Sequence, residues 1–321
     1  MANYDVLALG ELLIDFTENA VSGQGNPLFE ANPGGAPCNV LAMLNKLGKK
    51  TAFMGKVGKD QFGVMLKAVL DELGIGTECL YMDDDVRTTL AFVHTAPDGD
   101  RDFSFYRNPG ADMMLDVSEV NEEMIKDTAI FHFGTLSMTH EGVREATKKA
   151  LAVAKENGII VSFDPNLRPP LWKSLELAKE QILYGLGQCD ILKISDDEVL
   201  FVSGCETVAE GAQWLLQHYG NIKLMLTTLG KEGSVAYYGG MQVSASPFLN
   251  PNTIETTGAG DTFCACILNY VLEHGLNDLT EDGLKEMLTF ANGASSLITT
   301  RRGALKVMPE KAEVEAYIAG R

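Results

Sequence analysis

The strongest chemical signal in the sequence is TTGAGDTF at 256–263, which leads directly into the apolar run CACILNYVL. This pattern predicts that Gly258, Ala259 and Gly260 lie at the amino end of a helix, where backbone N–H groups and the helix dipole bind an anion. Asp261 would then lie in the first turn, beside that anion. A carboxylate there suits a base that takes a proton from an attacking hydroxyl, although Asp in a first turn also simply complements the dipole.

Polar side chains near glycine-rich turns are candidates for binding a polar ligand. Gly34 and Gly35 open the first predicted helix, and Asn39 can both donate and accept hydrogen bonds with hydroxyl groups. Asp15, just past the first predicted strand, offers acceptor oxygens only. Two arginines beside Pro- and Asn-rich turns complete the set: Arg107 and Arg168. The ordinary alternative is a tight turn for the glycines, Asn39 and Asp15, and a surface ion pair for each arginine.

Two further turns suggest nucleotide and metal binding. The turn TLGKEG at 228–233 joins two strand patterns, and such a turn either seats a nucleotide or is a plain connection. Ser195 follows the apolar run DILKI and is a good helix N-cap. Glu198 either complements that helix dipole or helps to hold a hydrated Mg²⁺. No Gly-x-x-x-x-Gly-Lys-Ser/Thr loop is present, which excludes a P-loop enzyme.

Composition narrows the class of partner and compartment. The 321 residues are 45% hydrophobic and carry a net charge of −18, which argues against a nucleic-acid partner because phosphate backbones need a basic surface. The six cysteines contain no Cys-x-x-Cys pair and are expected to be reduced thiols. No apolar run approaches the roughly 20 residues that span a bilayer. We therefore expect a cytoplasmic protein that does not enter membranes.

The order of apolar patterns predicts an α/β fold with a mainly parallel sheet. Short apolar runs, typical of buried strands, alternate with stretches whose apolar residues recur at helical spacing. Two segments break this rhythm. Residues 11–33 are strand-like but polar, and residues 88–107 form two alternating runs around PDGD. These segments predict a small second sheet, which is either a lid over the substrate or a decorated edge of the main sheet.

Together the motifs resemble those of one family, the ribokinase-like (PfkB) carbohydrate kinases, and within it the fructokinases. GGAPCN at 34–39 is similar to the first family signature and TTGAGDTF to the second. 2-Keto-3-deoxygluconate kinases share similar Arg-containing motifs. The fructokinase likeness is carried by four stretches: FYRNPGADMML at 105–115, SFDPNLRPPLW at 162–172, ILKISDDEV at 191–199 and FANGASSLITTRRGA at 290–304.

The resemblance implies a fold and an activity. It implies one three-layer αβα ribokinase-like domain over 1–321, with a β-sheet lid formed by about 11–33 and 88–111. The implied reaction transfers the γ-phosphate of ATP to a primary hydroxyl of a hexose, in the first place converting D-fructose to fructose 6-phosphate. The alternatives are a 2-keto-3-deoxygluconate kinase and a catalytically silent sugar-binding regulator. The expected partners are a sugar and ATP, and a homodimer is an open expectation.

The resemblance also assigns roles to residues. Asp261 is implied to be the base, with the N–H groups of Gly258, Ala259 and Gly260 as the anion hole. The sugar is placed on Asp15, Gly34, Gly35, Asn39, Arg107 and Arg168. ATP is placed on Lys193, Glu198, Thr228, Gly230, Gly233 and Asn292.

Metal ions are implied too: Mg²⁺ held through a water by Glu198, and often K⁺ near the 253–257 loop. The sequence departs from the family pattern at two positions, with Ser195 where relatives commonly have Asn and Glu255 where they commonly have Asp. The first departure weakens a role for Ser195, and the second puts K⁺ activation in doubt.

Overall fold

The computed structural model describes residues 2–95 and 101–320. Within these ranges the chain forms thirteen strands and ten α-helices. The strands are β1 Tyr4–Leu9, β2 Leu13–Val21, β3 Pro27–Gly34, β4 Thr51–Gly58, β5 Gly76–Asp83, β6 Leu90–Thr95, β7 Arg101–Tyr106, β8 Thr128–Gly134, β9 Ile160–Asp164, β10 Ile191–Ser195, β11 Leu224–Thr228, β12 Ser234–Tyr238 and β13 Met241–Ala245. The helices are α1 Ala36–Lys46, α2 Gln61–Glu72, α3 Glu122–Lys126, α4 Glu141–Glu156, α5 Leu175–Leu186, α6 Asp196–Ser203, α7 Val208–His218, α8 Ala259–His274, α9 Glu281–Ile298 and α10 Lys311–Ala319.

The central sheet follows from the alternation of buried strands and amphipathic helices. In the described residues it has nine strands in the order β13-β12-β11-β10-β9-β8-β1-β4-β5. All neighbours are parallel except β11–β12 and β12–β13, which are antiparallel. Parallel neighbours require crossover connections, and the intervening helices provide them. The predicted α/β fold with a mainly parallel sheet is therefore confirmed.

Helices cover both faces of the sheet, which gives three layers. Because successive side chains of a strand point to opposite faces, Val6 and Ala8 join one apolar cluster and Leu7 and Leu9 join the other. The first cluster includes buried side chains of α1, α8 and α9, and the second includes those of α4, α5 and α7. Across the two described ranges, none of the helices has the length and apolar character needed to cross a bilayer.

A second, smaller sheet stands apart from the first. Its four strands, in the described chain, follow the order β3-β2-β6-β7. β2 pairs antiparallel with β3 and parallel with β6, and β6 pairs antiparallel with β7. The two irregular segments of the sequence thus form a separate sheet, as predicted, while the predicted turn at 97–100 lies outside the described residues. The role of this sheet as a lid stays a prediction.

Candidate active site

A cavity of about 420 Å³ lies where the parallel strands end at their carboxyl edges. Parallel α/β sheets commonly bind ligands at this edge, because the loops that leave the strands converge there. Asp15 of β2 and Phe105 of β7 line the cavity from the small sheet. The cavity brings together residues that are far apart in sequence and were predicted for the sugar, the base, the anion hole or ATP: Asp15, Gly35, Asn39, Arg168, Lys193, Glu198, Gly258, Gly260 and Asp261.

The amino end of α8 forms one wall of the cavity. Gly258 is its N-cap with φ +75°, a left-handed conformation that favours glycine, and an added Cβ there would lie 2.8 Å from Cβ of Ala304. Within the described residues, the N–H groups of Gly260 and Asp261 have no backbone acceptor, whereas that of Ala259 donates to the carbonyl of Thr256 at 3.2 Å. Two outward N–H groups and the helix dipole therefore suit an anion, and the role of Ala259 in the anion hole stays a prediction.

Asp261 lies in the first turn of α8 and is held by Asn39. Nδ2 of Asn39 donates to Oδ2 of Asp261 at 2.8 Å, while Oδ1 of Asn39 is buried without a partner in the described residues. Burial raises the pKa of Asp261 to about 6, against the opposing effect of the Asn39 hydrogen bond. The carboxylate is thus oriented, partly desolvated and ionised near neutral pH, as a general base must be.

Lys193 supplies a cation beside the anion site. It projects from β10 into the cavity, and its Nζ lies 3.0 Å from Oδ2 of Asp164. Burial disfavours the charged amine, but Asp164 and Glu198 outweigh that effect and raise the pKa of Lys193. An ideal Cβ on Gly260 would lie 3.2 Å from this amine, so the charge is close to the start of α8. The arrangement offers a fixed positive charge to a bound anion.

Glu198 has two structural bonds as well as a place on the cavity wall. It forms a capping box with Ser195, whose hydroxyl accepts the N–H of Glu198 while Oε2 of Glu198 accepts the N–H of Ser195 at 2.9 Å. Its Oε1 accepts the N–H of Leu167 at 2.7 Å. The predicted N-cap at Ser195 is therefore confirmed, and Glu198 joins the loop after β9 to the start of α6.

A second cavity of about 340 Å³ lies on the other side of the α8 amino end. Gly230, Gly233 and Asn292 line it, and Thr256 lines both this cavity and the first. Asn292 supports the wall, because its Nδ2 donates to the carbonyls of residues 245 and 246 and its Oδ1 accepts from Ser234. Thr228 ends β11 and does not line this cavity. Three of the predicted ATP residues are thus neighbours here, next to the candidate anion site.

Arg107 is the predicted sugar ligand whose position differs most from expectation. Its guanidinium is 2% exposed, lies 2.6 Å from Oδ2 of Asp112, and does not line the large cavity. It also donates to the hydroxyl of Thr139 and to the carbonyl of Leu136. These bonds fasten the turn after β7 to the turn after β8. Arg107 thus joins these two turns, and its placement on the sugar stays a prediction.

Glu11 is a site residue that the sequence analysis missed. It is 3% exposed, lines the large cavity, and its Oε1 accepts the N–H of Ala36 at 2.8 Å. Burial raises the pKa of Glu11 to about 7. Gly35 packs on the same residue, since an added Cβ would lie 2.4 Å from the carbonyl oxygen of Glu11. The available signal was an acidic residue next to Gly10 within an otherwise apolar stretch.

Comparisons with known proteins identify the family of this chain. A model of the pfkB family of carbohydrate kinases matches residues 3–311. The chain is 40% identical over 317 residues to "Probable fructokinase-4" of Arabidopsis thaliana, covering 98% of this chain and 97% of the relative.

Solved structures match over nearly the full length as well. The fructokinase of Xylella fastidiosa with bound ATP gives a TM-score of 0.88 at 30% identity, over 98% of both chains. The fructokinase of Vibrio cholerae O395 in its fructose, ADP and calcium ion bound form gives 0.87 at 29%, over 98% of this chain and 99% of that one. The layered fold with its small second sheet is that of the ribokinase-like α/β proteins. The chain belongs to the pfkB family of carbohydrate kinases.

Proposed function

We propose that the protein is an ATP-dependent fructokinase that phosphorylates the 6-hydroxyl of D-fructose. The observation that carries the proposal is the position of Asp261, which lies at the amino end of α8 on the wall of a sugar-sized cavity. A second cavity with the predicted ATP residues adjoins the same helix end. The relatives named fructokinase, at 40% identity over nearly the whole chain, support this choice of sugar.

In the proposed reaction the proton of the sugar hydroxyl passes to Asp261. The hydroxyl oxygen forms a bond to the γ-phosphorus, the bond from that phosphorus to the β,γ-bridging oxygen breaks, and ADP leaves. The helix dipole and the N–H groups of Gly260 and Asp261 would stabilise the charge on the transferred group. Lys193 adds a positive charge nearby. Catalysis then depends on positioning and charge stabilisation, as phosphoryl transfer requires.

Magnesium would enter with ATP rather than reside in the protein. In the described part of the chain no three His, Cys, Asp or Glu side chains group together to hold a metal. Mg²⁺ usually keeps several waters and takes one or two carboxylates together with phosphate oxygens as ligands. A single nearby carboxylate such as Glu198 therefore fits an ion that is carried by ATP. When bound, it neutralises phosphate charge. Both oxygens of Glu198 accept backbone N–H groups, so its contact with the ion would be through a water.

A monovalent cation near the 253–257 loop stays a prediction. Oε1 of Glu255, the residue that stands where relatives commonly have Asp, accepts the N–H of Gly303 at 2.9 Å.

The charges of the large cavity favour a neutral sugar over an acid sugar. The acidic residues Glu11, Asp15, Glu198 and Asp261 line it together with the cations Arg168 and Lys193. Burial raises the pKa of Asp15 to about 7, while Arg168 acts in the opposite direction. A sugar carboxylate would therefore meet four acidic residues and compete with Asp15 for Arg168, whereas neutral hydroxyls can donate to the same carboxylates.

A panel of sugars and sugar acids, assayed for ADP release, tests the choice of substrate. We expect kcat/KM for fructose to exceed that for 2-keto-3-deoxygluconate by about tenfold or more, equivalent to about 1.4 kcal/mol. The reverse ratio would identify a 2-keto-3-deoxygluconate kinase and leave the role of Asp261 standing. Binding of fructose without ADP release would instead support a silent regulator.

Two features support proposals about assembly and location. The small sheet exposes large apolar side chains, with Val21 at 63% and Tyr106 at 66% exposure, and we propose that two copies associate through it as a homodimer.

All six cysteines are free thiols, which fits a reducing cytoplasm. The net charge of −18 supports the expectation of no nucleic-acid partner.

A further inference from the structure

A third cavity, of about 160 Å³, lies at the other end of the catalytic helix. It is enclosed by the carboxyl half of α8, by α9 and by the beginning of α10, and it shares no lining residue with the two cavities of the active site. Asn269 faces it from α8, eight residues after Asp261. At a rise of about 1.5 Å per residue, the two positions are roughly 12 Å apart along the helix axis.

Asn269 has an amide that the fold leaves unsatisfied. The residue is 7% exposed, and its Oδ1 has no hydrogen-bond partner among residues 2–95 and 101–320. Buried amides are nearly always hydrogen-bonded, because an unpaired one destabilises the folded state. The O and N atoms of an amide can exchange places by rotation of the side chain, so this group can accept from or donate to a ligand. An unpaired amide oxygen on a buried residue that lines a cavity points to a hydrogen-bond donor that binds there.

The floor of this cavity is apolar and of ring size. Met287 is buried and Phe290 partly buried, and their spacing of three residues places both on one face of α9. Tyr270 and His274 line the side of the cavity, and their rings stack with centroids 4.2 Å apart. A cavity of roughly 150 Å³ is known to hold one benzene ring. The ligand therefore has an apolar body of about one six-membered ring.

The rim of the cavity carries an excess of negative charge. Glu273, Glu286 and Glu315 all line it, and of these Glu273 pairs with Lys49 at 2.9 Å. Glu286 and Glu315 have no ion pair within the described residues. Lys311 is the single amine on the rim. The carboxyl end of α8, at His274, adds negative partial charge.

We propose that this cavity is a binding site for a small organic ammonium ion with a single-ring apolar body. The ring packs on Met287 and Phe290, and the ammonium group donates to the amide of Asn269 and to the carboxylate of Glu286. The inference does not rest on the proposed kinase activity, because it uses none of the active-site residues.

Calorimetric titration of the full chain with benzylamine, and with benzyl alcohol as the neutral isostere, tests the proposal. For a ligand of eight heavy atoms we expect saturable one-to-one binding with a Kd of about 1 mM. Benzyl alcohol should bind about tenfold more weakly. Saturating fructose and ADP should leave the benzylamine affinity unchanged, which separates this site from the acidic active-site cavity. Absence of saturable binding, equal affinity for the two probes, or competition by fructose would overturn the proposal.

Two cavity variants and one control variant test whether benzylamine binds in this cavity. Asn269→Leu replaces the amide by an apolar group of similar size and should weaken benzylamine binding about tenfold or more, since a hydrogen bond to a charged group is lost. Glu286→Gln, at an exposed position, should weaken it roughly threefold to tenfold. Glu281→Gln, on the same helix but away from the cavity, is the matched control and should bind as wild type. Wild-type affinity in both cavity variants would refute the site. If Asn269→Leu does not fold, Glu286→Gln and the anomalous signal of bromine in a crystal soaked with 4-bromobenzylamine still decide, and a bromine peak elsewhere would refute it.

Discussion

At the scale of single residues, the protonation of the cavity carboxylates determines when the site can work. Burial raises the pKa of Asp261 from an ordinary value of 3.8 to about 6, and that of Asp15 from 3.8 to about 7. A base accepts a proton only in its deprotonated form, so a raised pKa moves the loss of activity to higher pH. In its proposed role, Asp15 would accept from sugar hydroxyls in its charged form, so its protonation should weaken sugar binding as well.

We therefore predict an acid limb in the pH profile of the sugar kinase reaction. kcat/KM for fructose should begin to fall near pH 7 and drop at least tenfold per pH unit below about pH 6. The profile is measured by ADP release at saturating MgATP, with the coupling enzymes checked at each pH. Activity that stays level from about pH 8 to about pH 5 would contradict the assigned protonation states.

Glu11 is expected to act as a positioning residue for the base. It accepts the N–H of Ala36 at the start of α1, and Asn39 on the same helix holds Asp261. Glu11→Gln keeps an acceptor oxygen for that N–H and should retain kcat within about threefold. Glu11→Ala leaves the N–H unpaired and should lower kcat roughly 10- to 100-fold, as expected for a hydrogen bond to a charged group of about 1.5–3 kcal/mol.

The two Glu11 variants also separate positioning from general stability. The melting temperature of each variant is measured beside kcat and KM. A Glu11→Ala protein with wild-type kcat, or a Glu11→Gln protein as impaired as the Ala variant, would show that this contact does not position the base.

Local motifs predicted the position of a residue well where that position depends on the adjacent backbone. TTGAGDTF placed Asp261 and the glycines correctly at a helix start, because small residues before an apolar run determine that geometry locally. The contacts of Arg107 could not be predicted locally, because they depend on Asp112, Thr139 and the backbone at residue 136, which meet only in the folded chain. Glu11 was missed because its partner, Ala36, lies twenty-five residues away in sequence.

At the scale of elements, the small sheet is the part that adds side chains to the cavity from outside the main sheet. β2 and β7 contribute Asp15 and Phe105 to the cavity, while Phe16 packs edge-to-face on Phe62 of α2 at 5.7 Å. The sheet thus contacts both the main domain and the space where a sugar would bind. We propose that it closes over the sugar and excludes water from the reaction.

Hydrogen exchange tests this closure. Amides of β2, β3 and β7 should exchange more slowly when fructose is added, because closure buries them and restricts opening. β4, an interior strand of the main sheet, serves as the internal control and should not change. Equal exchange of the small sheet with and without fructose would argue for a fixed edge rather than a lid.

The sequence predicted the central strands more completely than the edges. β1, β4, β8, β9, β10 and β11 appear as continuous apolar runs because both of their faces are buried. β5 and β13 were not predicted. They form the two edges of the main sheet and mix buried with partly exposed and exposed residues, so no continuous apolar run marks them.

At the scale of the whole molecule, the fold joins groups that no local pattern connects. Asn39 and Asp261 are separated by 222 residues and are hydrogen-bonded at 2.8 Å. A chain with a net charge of −18 must still bind the anionic phosphates of ATP, and it can do so only through local positive features. The start of α8 and Lys193 provide those features on one side of the sheet edge.

Fructose-dependent ADP release by wild-type protein and by Asp261→Asn tests the central claim most directly. The variant keeps the size of the side chain and the start of α8, so it should fold and bind ATP as wild type does. Because Asn cannot accept the hydroxyl proton, we predict that kcat falls about 10²- to 10⁴-fold while the wild type turns over with fructose. A folded Asp261→Asn protein with more than half of wild-type kcat would contradict the account, as would a wild-type protein that releases no ADP with any sugar.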